Sequence, residues 1–128
     1  VDANGDKKTY VELQTSPANV HFDAAFVGRR KNMDKSYNAE YQTAIAIDGT
    51  LNDPSDVDKG WVAEWRIPFK QIRGVESAPK PGDKWMVNFF RLDKVRKGGR
   101  VVENQASAWS SPLSGDFHNI ARFAELNF

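Results

Sequence analysis

Apolar and polar residues alternate along several short segments of this chain. The alternation is clear in residues 9–15, strict in residues 61–67, and continues in residues 85–92. Side chains of a β-strand point to opposite faces in turn, so a period of two residues predicts half-buried strands. Further strands are predicted at residues 20–27, 43–48, 101–103 and 123–128.

Turn-forming residues separate these segments. Ser16, Pro17 and Asn19 predict a hairpin turn between the first two strands, and Gly98 and Gly99 predict another near residue 100. Residues 28–42 fit neither period and are predicted to form a long loop, and residues 69–72 a single helical turn. Short strands with frequent turns predict an all-β antiparallel sandwich of the immunoglobulin or jelly-roll kind, with very little helix.

The alternation also predicts which side chains form the core. We expect one apolar face of each strand to be mostly buried. The predicted core residues are Leu13, Phe22, Ile45, Ile47, Trp65, Ile67, Val87, Phe89 and Phe123.

Composition narrows the class of partner. A chain of 128 residues with a formal net charge of +1 predicts one domain, residues 1–128, with no electrostatic preference for nucleic acid. The only compact basic run, Arg29, Arg30 and Lys31, is interpreted as a solvated loop. Without cysteine the sequence has no disulfide and no thiolate site, and no apolar run is long enough for membrane insertion.

Three separated blocks carry a resemblance to a known family. They are GWVAEWRIPF at 60–69, PGDKWMVNFFR at 81–91, and SAWSSP at 107–112 followed by GDFHN at 115–119 and RFAELNF at 122–128. From about Tyr10 to Phe128 the sequence resembles family 9 carbohydrate-binding modules. The resemblance implies a bacterial extracellular or periplasmic module that binds a terminal sugar in an aromatic-lined cleft, with structural calcium.

The first residues, VDANGD, have the composition of a turn that follows a strand. Modules of the resembled family carry several strands before this point, so the chain corresponds to about their C-terminal two-thirds. We therefore expect a preceding segment or another chain to supply strands that complete the sandwich.

Trp109 is the first candidate for sugar contact, because aromatic faces stack on the C–H patches of sugars. Its setting fits either an exposed loop edge or a core position. Trp61 lies at a strand end and is the tryptophan of the central strands that could be exposed. Arg91, Asn88 and Glu64 are candidate partners for hydroxyl groups, although Arg91 and Asn88 are expected on opposite faces of their strand.

Two oxygen-rich segments are candidates for calcium. Asp2, Asn4 and Asp6 alternate around a glycine as in the start of a calcium loop, and an Asn-Gly hairpin turn is the competing interpretation. The other candidate ligands lie in a turn-rich loop and are Asp53, Asp56 and Asp58.

Catalytic motifs are not evident, and we expect the protein not to be an enzyme. His21 and His118 are the only imidazoles, and neither belongs to a nucleophile or metal-binding motif. His118 is expected to be a loop residue bonded to backbone. Two alternatives to sugar binding remain: a cell-surface or periplasmic scaffold module, and a haem-binding sandwich in which Met33 or Met86 pairs with one of these histidines.

Overall fold

The computed structural model describes residues 1–53 and 55–128. It contains eight strands: β1 (Thr9–Thr15), β2 (His21–Val27), β3 (Gln42–Asp48), β4 (Gly60–Arg66), β5 (Lys84–Val87), β6 (Phe90–Lys97), β7 (Arg100–Ala108) and β8 (Ala124–Asn127). Two single 3₁₀ turns, Phe69–Gln71 and Ile120–Arg122, are the only helical elements in these ranges. Neither could span a membrane. The all-β prediction is confirmed.

The strands form antiparallel pairs: β1 with β2, β3 with β4, β5 with β8, and β6 with β7. A short segment joins two of these pairs, because Val1 exchanges backbone hydrogen bonds with Val11 and Asp2 exchanges them with Met86. One layer therefore runs in the order β2, β1, Val1 and Asp2, β5, β8. Paired antiparallel sheets agree with the predicted sandwich class; the additional strands stay a prediction.

The predicted strand at 85–92 is divided in two. β5 ends at Val87 and β6 begins at Phe90, so the chain changes its partner from β8 to β7 across this break. Asn88 lies at the break, and its side chain bonds the backbone of Ser110 in both directions, at 2.8 and 2.9 Å. These bonds satisfy the Ser110 peptide groups where the ladder is interrupted. β7 is also longer than the predicted 101–103, reaching Ala108.

The core is built around both faces of the β1–β2 hairpin. On one face Tyr10 and Phe26 pack with Ala24, Ile120 and Phe123. On the other face Val11 and Ala25 pack with Ile72. Segments after β4 and after β7 therefore cover opposite sides of the same hairpin, which explains why two consecutive residues of β1 are both 3% exposed.

Much of the predicted core was wrong. Val87 and Phe123 are buried, whereas Phe89 is 65% exposed. Three other members, Leu13, Ile45 and Ile67, are only half-buried, and three are exposed: Phe22, Ile47 and Trp65. The alternation identified strands correctly but assigned the buried face without knowing which segments pack over each hairpin.

Separate substitutions of Phe123 and Phe89 test which of the two side chains belongs to the core. Phe123→Ala should lower the free energy of unfolding by about 3–5 kcal/mol, because it removes buried apolar area and leaves a cavity. Phe89→Ala should change it by about 0.5 kcal/mol or less, as expected for an exposed side chain. Chemical denaturation of the two variants measures both values, and equal losses would contradict the observed core.

Candidate functional site: an aromatic face on β6 and β7

Two aromatic side chains lie side by side on the surface where β6 and β7 begin to separate. The Trp109 amide donates to the carbonyl of Phe89 at 2.9 Å, which places the two residues opposite each other. Their ring centroids are 5.8 Å apart and inclined by 60°. Trp109 is 56% exposed. Of the two predicted settings, an exposed loop edge and a core position, the structure shows the exposed one.

Arg91 extends this surface along the strand. It lies two residues from Phe89 and therefore on the same face of the sheet. Its guanidinium carbon is 5.5 Å from the centroid of Trp61, a distance typical of cation–π contacts, and its Nε donates to Asp93 at 2.9 Å. We call Phe89, Trp109, Arg91 and Trp61 the aromatic face.

Asn88 supports the aromatic face from behind. Its side chain is committed to the Ser110 backbone, as described above, and the Ser110 hydroxyl donates to the carbonyl of Arg122 at 2.7 Å. These bonds fix the backbone next to Trp109. The side chains of Asn88 and Arg91 point to opposite faces of the strand, as their separation by three residues predicted.

Glu64 lies in a different place from the aromatic face. It lines a shallow depression of about 860 Å³ across β3 and β4, together with Gln42, Ala44, Trp65 and Arg66. Trp65 stacks nearly parallel on Tyr41 with a centroid distance of 5.4 Å, so it serves packing as well as lining this depression. The structure thus brings together Trp109, Arg91 and Trp61 and leaves Glu64 in a separate depression.

Phe89 is the member of the aromatic face that the sequence did not identify. Its position on an alternating strand led to its assignment to the core. The signal that could have found it is the triplet Asn88, Phe89, Phe90, in which adjacent large apolar side chains cannot face the same side of one strand. Phe90 faces the core instead, packing against the cluster that contains Phe123.

The first candidate calcium loop is a hydrogen-bonded turn. Asp2 is fully buried, and its carboxylate accepts the amides of Gly5 and Lys7 at 2.8 and 2.9 Å. Asn4 accepts the amide of Asp6, whose own carboxylate accepts two further amides. Backbone bonds lower the pKa of Asp6.

In the second loop Thr50 takes up most of the carboxylate contacts. Its amide donates to Asp58 at 2.7 Å and its hydroxyl to Asp56 at 2.9 Å, while Asp53 accepts the Ser55 amide. The described ranges hold no group of three or more potential metal ligands. In both loops the carboxylate oxygens accept hydrogen bonds from backbone amides and polar side chains of the same loop. This arrangement gives no support to calcium, which stays a prediction.

A buried polar chain lies beneath the loop that follows Trp109. His118 is 6% exposed, and its Nδ1 is 2.7 Å from the hydroxyl of Tyr10. The same hydroxyl accepts the amide of Arg30 at 3.2 Å and so joins His118 to the backbone of the Arg30 turn. The remaining ring nitrogen, Nε2, lies 3.8 Å from Glu12. The prediction that His118 is a loop residue bonded to backbone was wrong for its ring, which bonds the Tyr10 side chain.

Three of the four residues proposed as haem ligands contact other side chains. The Nε2 of His21 is 2.6 Å from the hydroxyl of Thr43, and His118 is bonded to Tyr10. Met86 packs against the first core cluster, while Met33 is 45% exposed. These contacts give no support to the haem alternative.

Comparisons with known proteins are sparse. No protein-family model matches the chain, and no solved structure gives a significant match. A protein of Arthroderma benhamiae named "Extracellular protein" is 26% identical over 129 residues. The alignment covers 98% of this chain but only 56% of the relative, so the chain spans a little over half the length of the protein it resembles.

The electrostatics of the buried polar chain give it a pH dependence. Burial lowers the pKa of His118 below its usual value, although the nearby Glu12 carboxylate opposes this shift. Partial burial opposes ionisation of Asp116, but hydrogen bonds from Arg30, from the His118 amide and from Arg29 lower its pKa to about 2. Asp116 therefore stays ionised while His118 is neutral near pH 7.

His118 should make the protein less stable in mild acid. Between its lowered folded pKa and the ordinary value of about 6.5, the unfolded chain binds more protons, so stability falls as pH falls through this interval. In His118→Asn, which keeps a hydrogen-bond acceptor near Tyr10, this component should be absent. Urea unfolding of both proteins at a series of pH values measures it, and a stability difference that does not change with pH would contradict the assignment.

Calcium can be tested directly. A ligand that binds only the folded state stabilises it by mass action, so a bound calcium ion requires the melting temperature to rise with added calcium and fall with a chelator. Asp2→Asn and Asp56→Asn should then reduce the response of their respective loops. An identical melt with calcium and with chelator rejects both sites.

Proposed function

We propose that this chain is an extracellular, non-catalytic module that binds a glycan on the aromatic face. The observation that carries the proposal is the exposed pair formed by Trp109 and Phe89, with the Arg91 guanidinium on the same side of the sheet. The name of the A. benhamiae relative supports an extracellular location. A periplasmic location stays a prediction from the family resemblance.

The chemistry of the aromatic face suits a sugar. Trp109 and Phe89 offer adjacent apolar rings on which the C–H groups of a pyranose can stack. Arg91 uses its Nε for Asp93, and within residues 1–53 and 55–128 its Nη groups have no hydrogen-bond acceptor, so they can donate to hydroxyl oxygens. Asp93 offers carboxylate oxygens that accept from hydroxyl groups. Stacking and polar contacts on one surface supply both affinity and orientation.

The rigidity of the support also favours binding. Asn88 fixes the backbone on the side of Ser110, and the Phe89 carbonyl fixes the amide of Trp109 itself. An indole held in this way loses little conformational freedom when a ligand stacks on it, so less of the interaction energy is offset by entropy.

Exposed apolar side chains favour a second candidate function. The outer half of the β6–β7 hairpin carries Leu92, Val95, Val101 and Val102, which are 37–59% exposed. Apolar surface of this kind marks contact sites for other polypeptide segments. In this alternative the module is a cell-surface scaffold, and a preceding segment or another chain adds strands to the hairpin.

Trp109→Ala should weaken glycan binding about tenfold or more, because one aromatic contact contributes about 1–3 kcal/mol. Its exposure predicts that the variant keeps the parent's melting temperature within a few degrees. Isothermal titration with a panel of neutral mono- and oligosaccharides measures the affinities.

Leu113→Ala is the matched control. Leu113 is 74% exposed on the same loop, and its loss should leave the affinity unchanged. Arg91→Lys should reduce the affinity less than Trp109→Ala does, since a charge remains. If the parent protein binds none of the sugars, the scaffold function is favoured, and analytical ultracentrifugation of the parent and of Val102→Asp then tests for apolar association.

A further inference from the structure

Arg29 and Arg30 share a single carboxylate. The Nε of Arg29 donates to one oxygen of Asp116 and the Nε of Arg30 to the other, both at 2.7 Å. The side chains of the two arginines remain 49% and 53% exposed. The sequence predicted a solvated loop here, and the structure shows in addition that one carboxylate bonds both exposed guanidinium groups.

The turn that presents the arginines has an unfavourable backbone conformation. The Lys31 amide donates to the Gly28 carbonyl at 3.0 Å, and Arg30 has a φ of 53°. Glycine or asparagine is preferred at a turn position with positive φ, and a long side chain there is uncommon. The conformation is held by the Arg30 amide, which donates to the Tyr10 hydroxyl of the buried polar chain. Strain retained on a rigid support is a frequent mark of a functional position.

The pair has hydrogen-bonding capacity that Asp116 does not use. The Asp116 carboxylate already accepts both Nε groups and the amide of His118. Among the hydrogen bonds of residues 1–53 and 55–128, the Nη groups of Arg29 and Arg30 have no acceptor within the protein. Guanidinium Nη groups form forked, charge-assisted bonds with planar or tetrahedral oxyanions.

The local charge also favours an anion. Arg29, Arg30 and Lys31 occupy one turn, and Asp116 is the carboxylate bonded to it. Glu12 lies on the inner side near His118, with 15% of its side chain exposed. The turn therefore presents excess positive charge to solvent, although the whole chain is nearly neutral.

We propose that Arg29 and Arg30 form a binding site for an oxyanion group, a sulfate ester or a carboxylate, carried on a polysaccharide. The choice of a polysaccharide as carrier rests on the proposed function. The site is separate from the aromatic face: Arg30 lies over Phe117, which contacts Phe90, and Phe90 faces the opposite side of β6 from Phe89. An acidic polysaccharide would thus have two contacts on the module.

The test is a set of titrations at fixed ionic strength. The probes are sodium sulfate, sodium glucuronate, a sulfated polysaccharide, a carboxylated polysaccharide without sulfate, and dextran as the neutral control. The parent protein should bind the acidic polysaccharides more tightly than dextran, and the stronger of the two identifies the preferred oxyanion. If sodium sulfate or sodium glucuronate displaces the polysaccharide, the contact is made with the sulfate or carboxylate group itself.

The variants separate guanidinium geometry from charge. Arg29→Lys and Arg30→Lys keep the charge but remove the fork, and each should weaken binding of the acidic polysaccharide about tenfold, the loss of one charge-assisted contact. Lys31→Ala removes a charge from the same turn and should weaken it less than about threefold. Melting temperatures of all variants show whether the fold is retained.

Three outcomes would overturn the proposal: no preference of the parent for acidic polysaccharides, an effect of Lys31→Ala equal to that of the arginine variants, or arginine variants that lose thermal stability but not affinity. Failure of the oxyanion site can be distinguished from failure of sugar binding on the aromatic face. Trp109→Ala should weaken binding of neutral sugars while leaving competition by sodium sulfate unchanged, and Arg29→Lys should do the reverse.

Discussion

The buried hydrogen bond between Tyr10 and His118 holds together parts of the chain that are 108 positions apart. Tyr10 stacks on Phe26 at 4.8 Å within the β1–β2 hairpin, and His118 contacts the edges of both rings. The Tyr10 hydroxyl also accepts the Arg30 amide at 3.2 Å. Core packing, the hydrogen bond of His118 and the position of the arginine turn are therefore parts of one arrangement.

This arrangement explains why secondary structure was easier to predict than burial. The strands at residues 9–15 and 61–67 follow from local alternation, and the turn at Gly98 and Gly99 follows from local backbone preference. Burial of both faces of β1 depends on Ile72 and Ile120, which are distant in sequence. A period of two residues identifies a strand, but it carries no information on which remote segment covers each face.

The candidate site shows the same limit. Trp109, Arg91 and Trp61 could be singled out from residue type, because exposed aromatic rings and guanidinium groups suit a sugar. Their proximity depends on the contact between Arg91 of β6 and Trp61 of β4, which no local pattern encodes. Glu64 was chosen by the same criteria and lies in a separate depression. Phe89 was assigned to the core because it shares the side of Val87 in the alternation, but the strand changes its partner from β8 to β7 at the break, and Phe89 is exposed beyond it.

The break at Asn88 also separates two regions of different expected stability. Before it, the strand belongs to the layer that packs on the core; beyond it, β6 and β7 pair with each other and carry mostly exposed side chains. Local opening costs least where few apolar contacts must be broken. Amide hydrogens of the outer β6–β7 hairpin should therefore exchange with solvent faster than those of β1 and β2. The aromatic face lies at the boundary, with the Asn88 and Ser110 hydrogen bonds on its inner side and the exposed hairpin on its outer side.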